Sequence, residues 1–182
     1  MKFKIKLILP KKFERYNCGL DPRFQGGIAV EIDGVNITKL KNSKKPCVFS
    51  DYVLLMIEDW LNKLPDIVKG KECRCDLFDN PWTFIFKPVG GDTEISFFNY
   101  GSYGNVSTNE INSELEGEGK PHRVPTGIFV EEVIQVAKDL IATLKKSDSN
   151  LINIDWFKET AQKLQEMEKL WIETKKIWRI NR

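Results

Sequence analysis

Four cysteines and one histidine carry the most chemistry in this 182-residue chain: Cys18, Cys47, Cys73, Cys75 and His122. A thiolate can attack carbon or bind zinc, and an imidazole is the one side chain whose unperturbed titration falls near neutral pH. Spacing decides what they can do. A structural zinc site uses Cys-x₂₋₄-Cys knuckles, whereas Cys73-Arg74-Cys75 leaves one intervening residue and puts both thiols on one side of a strand. That pattern reads as small buried core residues. His122 stands between Pro121 and Arg123 without a Gly-x-Ser-x-Gly or comparable nucleophile signature. It reads as an exposed loop histidine.

Other constellations are weighed the same way. Asp76, Asp79, Asp92 and Glu94 flank an aromatic hairpin and could pair as glycosidase carboxylates, but acids at turns and strand ends are ordinary. Together with His122 and Arg123 they define an alternative reading, a small hydrolase-like enzyme. Gly117-Glu118-Gly119-Lys120 matches a phosphate loop only in part: Pro121 follows the lysine, there is no Ser or Thr for magnesium, and no strand feeds it. No cofactor and no metal are expected. Lys2, Lys4, Lys6, Lys11, Lys12, Lys39, Lys41, Lys44 and Lys45, near Phe13 and Tyr16, could follow a nucleic-acid backbone. Without an arginine cluster or an aromatic RNA-binding signature, protection of an edge strand is the preferred account.

One segment remains. Residues 101–120 are rich in Gly, Ser, Asn and Glu, with Val106, Ile111 and Leu115 as apolar anchors. Glu110, Glu114, Glu116 and Glu118 there, beside Tyr100 and Tyr103, have the composition of a loop that steers and docks a basic partner. These six are the candidate partner-binding residues.

The elements that must position them follow from periodicity. Phe3, Ile5, Leu7 and Leu9 alternate with lysines as a half-buried strand, and Gly27 to Asp33 forms another. Asp33-Gly34 signals a tight hairpin into Val35-Asn36-Ile37. Ser50 is placed to cap a helix carrying Val53, Met56, Ile57, Trp60, Leu61 and Leu64, expected to end near Leu64 because Pro65 disfavours helix before it, with a short further turn to Gly70. Three strands follow, Glu72 to Phe78, Trp82 to Lys87 and Thr93 to Tyr100, with aromatics on both faces as in a central position. A helix from Thr126 to about Lys146 and another from about Asn153 complete the chain, the last with Glu159 and Lys163 as an i,i+4 pair. Its Trp156, Trp171 and Trp178 serve either the core or a homodimer surface.

The fold class is therefore α+β: a mixed or mainly antiparallel sheet of about six strands packed with three helices. It reads as one domain over 1–182, with a C-terminal helical extension at 151–182. Lysines interrupt the N-terminal apolar residues, so no signal peptide is read there and no apolar run is long enough to span a bilayer. The thiols read as reduced, and the chain as cytoplasmic with no membrane partner. Charge is uneven. Eleven basic residues face four acidic in 1–50, for +7; six face thirteen in 51–122, for −7; eleven face nine in the remainder, for +2. Patches of both signs suit macromolecular contacts.

At Pro81-Trp82-Thr83-Phe84-Ile85-Phe86, then Ile95-Ser96-Phe97-Phe98, the long loop, and Val124-Pro125 leading into Phe129-Val130-Glu131-Glu132-Val133, the layout resembles small bacterial immunity proteins of polymorphic toxin systems. The resemblance covers about the middle third of the chain. It implies a non-enzymatic binder that occludes a toxin domain, and it transfers no binding residue.

Overall fold

Alternation at the N-terminus forms β1 (Phe3–Ile8), with Ile5 buried and Lys4 and Lys6 exposed. The structure, a computed structural model, describes residues 1–10, 15–16, 19–20, 25–45, 47, 51–78, 82–99, 115–117 and 120–180. β1 pairs antiparallel with β4 (Gln25–Ile32), Phe3 opposite Ile32 and Ile8 opposite Gly27. Two-residue strands β2 (Arg15–Tyr16) and β3 (Gly19–Leu20), which lie between them in sequence, pair with each other. Asp33 and Gly34 turn β4 into β5 (Val35–Asn36), and both take positive φ, 48° and 88°. A two-residue hairpin turn needs that handedness to follow the strand twist.

β6 (Asp51–Tyr52) pairs with the start of β4 and runs straight into α1 (Val53–Val68). Tyr52 is the N-cap residue; Ser50 lies outside the described residues. The helix passes through Pro65 instead of stopping before it. Proline removes one helical N–H, but continuing buries Ile67 almost completely. Gly70, at φ 84°, donates to the Ile67 carbonyl at 3.0 Å and turns the chain away.

β7 (Cys73–Asp76), β8 (Trp82–Val89), β9 (Asp92–Asn99) and β10 (His122–Pro125) form a second antiparallel sheet, ordered β10-β9-β8-β7. Among the described residues the class is α+β with antiparallel strands and three helices, and the strands other than the β2–β3 pair divide between two sheets. β8 and β9 hold inner positions, and Trp60 of α1 meets the face of Phe84 and Phe86. α2 (Thr126–Ser147) follows β10 directly, and a 3₁₀ turn at Ser149–Asn153 leads to α3 (Asp155–Ile180). Ion pairs Lys138–Glu168 and Lys175–Glu131 join α3 to α2, and Lys163 reaches Glu58 of α1 in place of Glu159. Phe157, Leu164 and Trp171 of α3 are buried in the shared core, so the C-terminal helix packs as part of the domain. Among the described residues no helix is long and apolar enough to cross a membrane.

α2 ties the sheets together. The Phe129 ring packs, tilted, 5.9 Å from Phe3 of the first sheet and 4.9 Å from Phe86 of the second. Glu132, three residues on, accepts the N–H of Ile5 on the edge strand β1 at 2.9 Å. One side of that edge is thereby capped, while its lysines face solvent. Phe129→Ala is expected to cost about 3–5 kcal/mol, and Phe129→Leu less than about 2, because leucine refills most of the space. Urea unfolding followed by tryptophan fluorescence checks this; a loss below about 1 kcal/mol for the alanine variant would mean the sheets cohere without this ring.

Candidate protein-binding site

β9 and β10 are antiparallel neighbours, His122 opposite Ile95 and Pro125 opposite Asp92. Strands so placed are ordinarily joined by two to five residues, yet this chain leaves β9 after Asn99 and does not enter β10 until His122. The returning limb is fastened on its way. Leu115, fully buried, bridges Leu40 beyond β5. The Glu116 N–H donates to the Lys39 carbonyl at 2.8 Å, and Lys39 Nζ lies 2.5 Å from Glu116 Oε1. Gly117 sits so tightly on Ile37 that a Cβ would come within 2.9 Å of its Cγ2. His122 Nε2 closes the arrangement 3.4 Å from the Gly117 carbonyl.

Of the six candidate partner-binding residues, Glu116 is the one the structure describes, and it is paired with Lys39. Tyr100, Tyr103, Glu110, Glu114 and Glu118 lie outside the described residues. Sequence reasoning took Leu115 as an apolar anchor but counted Lys39 only among the nucleic-acid lysines. No local signal links Lys39 to Glu116, which lie 77 residues apart.

Beside this limb, the outer face of the second sheet carries paired charge. Arg74 Nε lies 2.6 Å from Asp76 Oδ1, and Arg123 Nη2 lies 2.8 Å from Glu94 Oε1, around half-buried Ile85 and Phe98. Burial pushes the Asp76 carboxyl up, but hydrogen bonds from Arg74 and Thr83 and the neighbouring cations outweigh it and hold the group below the usual range. A general acid needs the opposite shift.

The geometry separates Asp76 from Glu94, while Asp92 lies two residues from Glu94 on the same face of β9. Asp76 pairs with Thr83 and Glu94 with Lys87, so the two acids stand roughly 13 Å apart along the strands and about 10 Å across them. Paired glycosidase carboxylates require about 5–10 Å. Asp79 lies outside the described residues. His122 occupies β10, where the sequence reading expected a loop, and it is half-buried. It shares the face of Ile95, whereas Arg123 and Glu94 share the opposite one. A site using His122, Arg123 and Glu94 together is therefore not assembled.

The thiols are core residues. Cys47, Cys73 and Cys75 are buried, and Cys18 lies outside the described residues. Burial, followed by the Asp59 carboxylate beside it, pushes the Cys75 thiol strongly up, and burial does the same more mildly to Cys73. Among the described residues no three His, Cys, Asp or Glu side chains converge to hold a metal ion. On β1 the lysines are interleaved with acid: Lys6 pairs with Glu31 at 2.5 Å, and Lys4 stands opposite the same residue. Comparison with protein-family models, curated proteins and solved structures finds no match.

The thiols set a pH dependence. Unfolded cysteines ionise near pH 8.5, while Cys75 and Cys73 stay protonated above that in the native state. The unfolded chain then binds fewer protons, so stability is retained below about pH 8.5 and falls as pH rises beyond it. Urea titrations at pH 7.5 and 9.5 should show this fall, and Cys75→Ala should make it shallower. An equal fall in both proteins would remove the Cys75 thiol as its source.

Proposed function

We propose that this chain is a non-enzymatic protein-binding module, an immunity protein that neutralises a cognate bacterial toxin in the cytoplasm by covering it. The observation that carries the reading is the long excursion between two neighbouring strands. Pairing of β9 with β10 needs only a short turn, and loops as long as the one between them are commonly functional. The acids there give the segment a negative sign suited to a basic partner surface. The adjoining sheet face adds arginines and half-buried apolar groups, the residue types enriched in protein interfaces.

The reading leads to a test with two arms. Co-expression with the toxin-like product of a neighbouring reading frame should restore growth of a sensitive host. Changing Glu110, Glu114, Glu116 and Glu118 together to Gln should slow association with that product at least about tenfold at low salt, with little difference at high salt. An unchanged association rate would remove the acids from the account, and failure of the unaltered chain to bind or protect would remove the reading itself.

A further inference from the structure

Residues 115–117 touch the chain just beyond β5 on one side and His122 of β10 on the other. On the β5 side the described contacts are one bridge, one backbone hydrogen bond, one ion pair and the close packing of Gly117 on Ile37. The Lys39 and Glu116 side chains each keep 29% of their surface exposed, and an ion pair so placed is weak and screened by salt. Leu115 is the buried anchor. A short segment held by one apolar side chain and a few polar contacts opens at lower free energy than the whole domain.

Glu116 is also the described member of the acids that the proposed function assigns to docking, and an internal cation already holds it. We propose that residues 115–117 form a releasable strap, in which Lys39 occupies Glu116 as an internal stand-in for a basic partner. The inference rests on the docking role of the acids for its purpose, but not for its geometry. A basic surface reaching Glu116 competes with Lys39 for its carboxylate, and where it displaces Lys39 it removes one of the contacts that clip residues 115–117 to the β5 side. Partner engagement and strap release are then coupled events of one site.

Gly117 offers a clean way to lift the strap. A methyl group there would lie 2.9 Å from Ile37 Cγ2, 3.1 Å from Ile37 Cα and 3.1 Å from His122 Nε2. Because backbone stands among those atoms, the limb must move away, and Gly117→Ala opens no cavity in the core. Hydrogen exchange on the whole chain, without any partner, reads the result. Exchange at the Glu116 amide should quicken roughly tenfold, while amides of α1 and β8 keep their protection. Unchanged exchange at Glu116, or a loss spread equally through α1 and β8, would overturn the strap. Lys39→Met tests the stand-in with a decalysine peptide as probe: affinity should rise about threefold, and adding Glu116→Gln should cancel the gain. No gain would overturn it. These measurements need no toxin, so their failure is distinct from failure of the binding reading.

Discussion

Phe129 stands between Phe3 and Phe86, and through that double contact two separate sheets share one core. The rings continue without interruption. Phe86 meets Trp60 at 5.2 Å, Trp60 meets Phe84 at 4.9 Å, Phe84 meets Phe97 at 4.5 Å, and Phe97 stacks on Trp82 at 4.8 Å. Tilted and edge-to-face pairs of this kind add stabilisation beyond the area they bury. The series has one polar cost. Among the described residues the buried Trp60 indole N–H meets no hydrogen-bond acceptor, and a buried donor left so costs about 1–3 kcal/mol.

Because this core takes up one side of each strand, it also decides which groups are available for chemistry. Cys73 and Cys75 face inward opposite Phe86 and Phe84, where burial keeps the thiols protonated. His122 falls on the same side, under the returning limb, and the charged residues of β7, β9 and β10 fall on the other. Among the described residues strand alternation has thus placed Cys73, Cys75 and His122 on the inner side and the charged groups of β7, β9 and β10 on the outer one. The chain between β9 and β10 is far longer than their pairing requires, and that excess supports the proposed function.

Much of this was legible in sequence, for local reasons. Alternation marked β1, Asp33-Gly34 marked the hairpin, and three- and four-residue spacing marked α1, α2 and α3. Misjudgements arose where a tertiary contact outweighed a local rule. Pro65 would end a helix, but burial of Ile67 carries α1 past it. His122 to Pro125 is too short, and too rich in proline and charge, to announce a strand, and only pairing with β9 makes it one. Lys163 satisfies i,i+4 spacing with Glu159 yet bonds Glu58, because α3 packs on α1. The division into two sheets had no local marker, since sequence shows each strand's inner face but not its neighbour. The Lys39–Glu116 pair was hidden for the same reason.

As proposed, this molecule acts by occupying a partner, not by transforming one. Titrating a purified toxin domain with the chain, while following both the toxin's activity and the mass of each protein, tests it most directly. Loss of activity should be complete at one chain per toxin, with a stable complex and both masses unchanged. Neutralisation by far less than one equivalent, or a covalent change in the toxin, would contradict it.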